Sequence, residues 1–423
     1  MTQTVAVNSE TELQNLIRDR FGHEPDWMTQ RRLQAAIDYF ALDWPRLERT
    51  PLKKRKLGRI PFFEHSTPAI PQDFRKVSGI ELRLYNNHLA VVNLPDSLKE
   101  AGVVLEPLAD AINREPVREF LGSLAPDAQD KITAINDALW QNGLFLWVPP
   151  HLSEIVEVSF ENYADASSRA LITKNLIICG SESRVIVTER LSAEDAPEKM
   201  LLAENTEIFA ENGGRVEFGA IQQCGHHVEG FIRRVGLVSH DAAIDWNIGE
   251  FGSGLIVSGH ESKLSQQGAS TRSTTVFFGS QQQHQDYTAK SFHQAPNTTS
   301  NMVARGVMKD KARSIFTGLT HIAEGAKGSD GRQKEQTLML SDGSRADAIP
   351  SLLIDERDVY AAHAASAGPV DKAAVFYLMS RGLSEDEAVR LIVHGFLAPV
   401  IDTIPREALR DEVWAAVEGK IME

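Results

Sequence analysis

The fold is decided by runs such as Ile244-Asp245-Trp246-Asn247-Ile248, Leu255-Ile256-Val257 and Val276-Phe277-Phe278. They belong to a series of short β-type runs that extends from Ile155 to about Ile354 and is punctuated by Gly, Asn, Asp and Ser. Many of these runs alternate apolar and polar residues, and several pairs recur at about nine to eleven residues. A long series of this kind without helical insertions is typical of a sandwich, a barrel or a solenoid.

Short strands with narrow apolar faces favour the solenoid, because each turn then buries itself against its neighbours. The sequence therefore predicts a mixed α and β protein with a right-handed parallel β-helix core between two helical regions. The predicted divisions are an N-terminal helical region with Pro-rich connections (1–150), the β-helix (151–357) and a C-terminal helical domain (358–423). Periodicity alone leaves a large sandwich open as an alternative.

Helical patterns flank this series on both sides. Ser9 and Glu12 are spaced as a capping box at the first helix, and Ser384 and Glu387 repeat that spacing near the C-terminus. Gly382 is placed to end the helix that precedes it. The remaining predicted elements are a helix with Leu33, Ile37 and Phe40 on one face, two patterns at 108–121 and 132–139, a helix at 370–381, and a last helix that begins near Pro405 and carries Leu409, Val413, Ala416 and Val417.

Composition excludes several classes of function. The chain has 423 residues and a formal net charge of -14, which argues against general nucleic-acid binding. The first twenty residues carry charges and lack the apolar segment of a secretory signal, and no apolar run is long enough to span a membrane. These features predict a cytoplasmic location. Cys179 and Cys224 are the only cysteines in the sequence, too few for a self-contained four-thiolate cluster.

The segment from Asp358 to Leu378 resembles a family signature. It reads Asp-Val-Tyr-Ala-Ala-His-Ala-Ala-Ser-Ala-Gly-Pro-Val-Asp-Lys-Ala-Ala-Val-Phe-Tyr-Leu and continues Met-Ser-Arg-Gly. In the SufB/SufD family, a strand with the pattern DDVxCSHGATxG leads into a helix with the pattern DxxxxFYLxSRG. Weaker matches lie at Thr173–Ile178, Lys311–Leu319, Arg345–Pro350 and Glu48–Thr50.

The family contains two paralogues, and the sequence is more similar to the one that lacks a late cysteine. SufB has a glutamate after the signature histidine and a cysteine upstream, whereas here Ala364 follows His363 and the last cysteine is Cys224. Ala361 occupies a position where many members of the second branch have cysteine. A thiolate role at that position is therefore impossible in this chain.

The resemblance implies a non-catalytic scaffold for iron–sulfur cluster assembly. One copy of each paralogue would assemble with two copies of the ATPase SufC, and the chain would pair with SufB through β-helix edges. The C-terminal helices would hold SufC, with Leu391, Ile392 and Phe396 as candidate contacts. The chain would have no cofactor of its own but would share a transient cluster with SufB, and the sequence leaves open whether a reduced flavin binds the complex.

His363 is the residue to which the resemblance assigns chemistry, as a transient metal ligand or proton acceptor at the SufB interface. Neutral imidazole is a good ligand for iron and titrates near physiological pH. The alternative is a buried structural histidine at the junction of strand and helix. Cys224, His226 and His227 imitate a metal cluster, but strand alternation is expected to point neighbours to opposite faces. Four other histidines of the β series, at 240, 260, 284 and 293, could stack on adjacent turns, but a solvated polar face is the expectation.

Two rival functions remain at this point. A β-helix polysaccharide lyase or hydrolase would need clustered carboxylates on one solenoid face, and the acidic residues here show no repeated spacing. A SufB-like primary scaffold would hold a cluster alone, which the cysteine count disfavours.

Overall fold

Two facing sheets of parallel strands form the centre of the computed structural model, which describes residues 9–62, 68–124 and 128–423. The first sheet, in chain order, contains β1 (Glu81–Tyr85), β2 (His88–Asn93), β5 (Val156–Ala164), β7 (Arg184–Ala193), β9 (Arg215–Cys224), β11 (Ala243–Glu250), β13 (Ser270–Gly279), β15 (Thr299–Met308), β17 (Asp330–Met339) and β19 (Tyr360–Pro369). The second contains β3 (Val104–Pro107), β4 (Leu144–Val148), β6 (Ala170–Cys179), β8 (Met200–Ala210), β10 (Val228–Val238), β12 (Leu255–Leu264), β14 (His284–His293), β16 (Arg313–Ile322) and β18 (Arg345–Ile354).

Successive strands from β4 onward alternate between the two sheets, so the chain winds as a solenoid of about eight turns. Each strand pairs in parallel with the strand one turn later: Glu229 lies beside Leu255, 26 residues on, and Arg313 beside Arg345, 32 residues on. The predicted parallel β-solenoid is thereby confirmed. The sheets do face each other, but the alternating path separates this fold from an antiparallel sandwich.

The strands are longer than the sequence pattern indicated. Most have ten residues, and successive strands begin about fifteen residues apart, as at Arg184, Met200 and Arg215. The expected recurrence at nine to eleven residues was therefore too short, because it counted strand length without the connecting turn.

Helices cover the outer face of each sheet. They are α1 (Glu10–Phe21), α2 (Asp26–Ala41), α3 (Asp96–Glu100), α4 (Glu115–Phe120), α5 (Lys131–Leu139), α6 (Lys372–Ser380), α7 (Glu385–Ile401) and α8 (Glu407–Met422). The N-terminal helices share one apolar core with β6, β8, β10 and β12 of the second sheet. Helices α7 and α8 pack on β9, β13 and β15 of the first sheet through Val393, Leu397 and Val413.

The N-terminal region departs from its sequence prediction in two ways. On α2 the buried residues include Met28, Arg32 and Ala36, whereas Ile37 of the predicted apolar face is exposed. Burial of Arg32 is made possible by two hydrogen bonds to the Glu24 carboxylate, each 2.7 Å long. Residues 81–148 also contain four strands that the helical patterns did not predict, and the pattern at 108–121 forms a 3-10 turn followed by the short α4.

The C-terminal helices confirm their sequence signals. Ser384 and Glu387 form the capping box of α7, and Gly382 after α6 has φ +101°. Helix α8 begins two residues after Pro405, and its predicted apolar face is buried. β4 before residue 151 and β19 after residue 357 both pair with strands of the solenoid.

Candidate functional site

The C-terminal end of the solenoid is uncovered. β18 and β19 are the last strands of their sheets, and among the described residues each has a neighbouring strand on one side only. Most residues of both strands are exposed or half-buried, in contrast to the buried interior of the preceding turns. Large apolar side chains are exposed here as well, namely Leu353, Ile354 and Tyr360. An exposed edge of this kind offers unpaired backbone groups to another chain.

His363 lies on this last strand. It pairs with Gln333 of β17, whose side chain is buried on the interior face, so the same register directs His363 toward the space between the sheets. Ala361, two residues earlier, shares that face. The imidazole is exposed, and no hydrogen bond to its ring occurs within the described part of the chain. The alternative of a buried structural histidine is therefore wrong.

A small cleft beside His363 has a polar floor and apolar walls. Gln333 and Glu335 of β17 line it together with Met302, Phe316 and Pro350. Glu335 is 8% exposed. Burial raises the pKa of its carboxyl to about 8. The sequence analysis did not single out Glu335, although the alternation of Gln333, Glu335 and Thr337 on one face could have suggested an unusually polar interior.

The Cys224, His226 and His227 group does not converge on a metal site. Cys224 ends β9 with its thiol buried, whereas the histidines lie in the turn that follows, so the expected strand alternation was wrong. Burial raises the pKa of the Cys224 thiol, which keeps it protonated and unreactive. Across residues 9–62, 68–124 and 128–423, no three His, Cys, Asp or Glu side chains are arranged to hold a metal ion.

Three histidines of the strand series are buried, which corrects the expectation of a solvated face. Burial lowers the pKa of His260 to about 3 and the pKa of His284 and His293 to about 4. Each is held by hydroxyls: the His260 ring contacts Ser273 Oγ at 2.6 Å, and the His284 ring contacts Thr50 Oγ1 at 2.8 Å. They are neutral structural residues.

A group of charged side chains is enclosed between the sheets. Arg234 donates to Glu189 at 2.7 Å and lies 3.5 Å from Glu204 and 3.8 Å from Glu250. Three carboxyls therefore share one guanidinium. Burial raises the pKa of the Glu204 carboxyl well above its usual range and that of the Glu250 carboxyl to about 7. Sequence reasoning missed this cluster because its members lie on four separate strands.

The C-terminal helices present an exposed apolar surface. Phe376 is 72% exposed and Tyr377 56% exposed on α6, and Leu391 on α7 is 52% exposed. Of the other candidate docking residues, Ile392 is half-buried, and Phe396 packs beneath the Arg305 guanidinium, 5.2 Å from the ring centroid. No helix within the described residues combines the length and apolar character needed to cross a membrane.

Comparison with known proteins places this architecture in a family. Residues 162–396 match the model described as "SUF system FeS cluster assembly, SufBD core domain", and residues 73–158 match the "SufBD protein N-terminal region". The iron–sulfur cluster assembly protein SufD of Bacillus subtilis is 29% identical over 416 residues, which cover 94% of this chain and 95% of that protein. A SufBD family protein of Staphylococcus saprophyticus is 25% identical over 419 residues, 93% of this chain and 90% of the relative.

The core match spans more than half of the chain, and it includes most of the solenoid and the strand that carries His363. The chain therefore belongs to the SufB/SufD family of the SUF iron–sulfur cluster assembly system.

Proposed function

We propose that this chain is the SufD subunit of a SufB–SufC–SufD complex, in the cytoplasm, and acts there as a non-catalytic scaffold for cluster assembly. The full-length similarity to a protein named SufD supports the choice of paralogue, and so does the absence of any cysteine after Cys224. The observation that carries the proposal is the uncovered C-terminal end of the solenoid, where His363 is exposed on an edge strand.

The edges of β18 and β19 are the surface that we assign to SufB. A second β-helix with matching edges could extend both sheets at once by main-chain hydrogen bonds. Leu353, Ile354 and Tyr360 would lose their exposure in such a complex, and apolar burial stabilises association. His363 would then face ligands from SufB, which supply the thiolates that this chain lacks.

The apolar surface of α6 and α7 is the part that we assign to SufC. Phe376 and Leu391 are large apolar side chains that are mostly exposed to solvent. Exposed apolar patches often mark interaction sites, and aromatic side chains often contribute most of the binding energy at interfaces. The Phe376→Glu and Leu391→Glu variants should each lose SufC from the purified complex while SufB stays bound. Val92→Glu, at an exposed apolar position on β2 at the opposite end, is the matched control and should retain both partners.

The role of His363 is tested in cells that depend on this chain for cluster assembly. His363→Ala should leave SufB and SufC bound but reduce cluster formation to background. His240→Ala, an exposed turn histidine far from this end, should behave as wild type. Normal cluster formation by His363→Ala would contradict the proposed role. Anaerobic reconstitution of the isolated chain addresses the SufB-like alternative, since only a primary scaffold should retain a cluster by itself.

A further inference from the structure

Three acceptor groups without donors meet at the open end of the solenoid. The Gln333 Oε1 atom is buried and has no hydrogen-bond partner in the part of the chain that the structure describes. Glu335 is nearly buried, yet it makes no ion pair or side-chain hydrogen bond within the described residues. The His363 ring, which lines the same cleft, also has no partner there. Buried polar groups are normally satisfied, so the two buried exceptions, Gln333 and Glu335, next to the exposed His363 ring, call for a missing donor or cation.

The orientation of Gln333 is fixed by its other atoms. Its Nε2 donates to Thr320 Oγ1 at 2.7 Å and to the Ser351 carbonyl at 3.2 Å. Exchanging the amide nitrogen and oxygen would place the oxygen against the Ser351 carbonyl, which can only accept, so Oε1 is the atom left without a donor. The polar group at the bottom of the cleft is therefore an acceptor.

The register brings the two titratable groups within reach of one bound ion. Gln333 lies directly beside His363, and Glu335 lies one interior position further along β17, beside Ala365. Strand spacing and rise place the Cα atoms of Glu335 and His363 about 8 Å apart, a distance that their side chains can span around a metal ion. The neighbouring walls are Met302, Phe316 and Pro350. Lys334 also borders the cleft, but it is exposed, and strand alternation places its side chain on the opposite face of β17 from Gln333 and Glu335.

We propose that Glu335 and His363 together form this chain's share of a ferrous-ion site, with Gln333 Oε1 accepting a hydrogen bond from a water on the ion. A carboxylate oxygen and an imidazole nitrogen are a donor pair that suits Fe²⁺. Two protein ligands leave most of the coordination sphere free, and the site lies where a docked partner would add thiolates. The inference deepens the proposed function, because it names the ligand that would accompany His363 and the ion that would arrive before sulfide.

Metal binding to the tagged full-length chain, purified anaerobically with the proteins that accompany it, tests the site directly. Fe²⁺ binding before any sulfide is added, and Mn²⁺ binding followed by electron paramagnetic resonance, should each weaken at least tenfold in Glu335→Gln and in His363→Ala. Glu324→Gln, at an exposed turn position, is the control and should bind as wild type. The Glu335→Gln variant removes an unpaired buried carboxyl and should melt at the same or a higher temperature than wild type, so a folding defect does not confuse the result.

The outcomes separate this inference from the proposed function. If Glu335→Gln binds Fe²⁺ as wild type while His363→Ala stops cluster formation, the ferrous site is wrong and the role of His363 stands. If His363→Ala builds clusters normally while both variants lose Fe²⁺, the metal site stands without the proposed role in assembly. Wild-type metal binding in both variants overturns the site.

Discussion

Replacing Arg234 with methionine should destabilise the fold more than any nearby surface change. The guanidinium lies between the sheets, 1% exposed, and is the cation shared by Glu189, Glu204 and Glu250. Methionine has a similar length and fills most of the space, so the main loss is electrostatic. The carboxyls of Glu204 and Glu250 already have raised pKa values. Glu189 is therefore the group that most needs the cation.

The magnitude follows from the protonation that this loss would force. A glutamate with an ordinary pKa near 4.3 must bind a proton at pH 7 to remain buried without a cation, at a cost of about 3.7 kcal/mol. Loss of one partner from a buried pair typically costs about 3–5 kcal/mol, which agrees. The added proton is bound in the folded state but not in the unfolded one at neutral pH. The deficit relative to wild type should therefore shrink by about 1.4 kcal/mol per unit as the pH falls from 7 toward 5.

Urea unfolding at pH 7, 6 and 5, followed by tryptophan fluorescence, measures both quantities. Arg272→Met is the matched control, because that side chain is 59% exposed and lies 4.0 Å from Asp245. The control should lose less than about 0.5 kcal/mol at any of these pH values. A loss below about 1 kcal/mol for Arg234→Met, or a deficit independent of pH, would refute the assignment of Arg234 as the neutralising charge.

Two further predictions concern the solenoid interior and one helix. Gly306→Ala should lower stability by about 1–3 kcal/mol in thermal unfolding, because its Cβ would lie 1.9 Å from the Phe277 ring. Gly395→Ala should raise stability by about 0.5–1 kcal/mol, because Gly395 lies within α7 and its Cβ would meet open space. Similar effects at the two glycines would contradict the packing. His293 has a pKa of about 4 when folded against about 6.5 unfolded, so wild-type stability should fall as the pH drops from 6.5 to 4, by up to about 1.4 kcal/mol per unit. His260 and His284 contribute in the same direction, so His293→Gln should reduce the slope by up to about 1.4 kcal/mol per unit without abolishing it. An unchanged slope in urea titrations would show that His293 does not contribute.

The ends of the C-terminal helices could be predicted from the local sequence. Ser384 and Glu387 satisfy backbone donors three residues apart, and Gly382 adopts a left-handed conformation that other residues resist. These signals depend only on neighbouring residues, so the sequence reveals them without knowledge of the fold.

The division of strands between two sheets was harder to predict. Every residue of β6 and β8 is buried, because their outer face lies under the N-terminal helices and their inner face lies within the solenoid. Such strands lose the alternation that would reveal which residues face inward. Lys174 on β6 illustrates the difficulty: it is buried because its ammonium pairs with Asp137 of α5, a contact between residues far apart in sequence.

The site was predicted only in part, for a related reason. His363 stood out through a resemblance to the family signature, whereas Gln333 and Glu335 lie thirty residues or so upstream and meet it through strand register. The alternation of Gln333, Glu335 and Thr337 is the local signal for Glu335, and alone it does not separate a buried glutamate from a solvated one. The significance of Glu335 depends on its burial without an ion-pair partner among the described residues, which only the packed structure reveals.

The two ends of the solenoid differ in a way that bears on partnership. At the N-terminal end, β2 and β3 run antiparallel to their neighbours and stop the parallel stack, and α3 adds the buried Leu98. At the other end the chain leaves β19 for α6, whose neighbours α7 and α8 pack on β9, β13 and β15 instead of on the last turn. A protein that acts alone would be expected to protect this edge, since an unprotected parallel edge promotes aggregation. The helices that could have covered it are placed elsewhere, and the edge they leave uncovered carries His363. The same choice of packing therefore exposes both the surface for a partner and the group that is to act there.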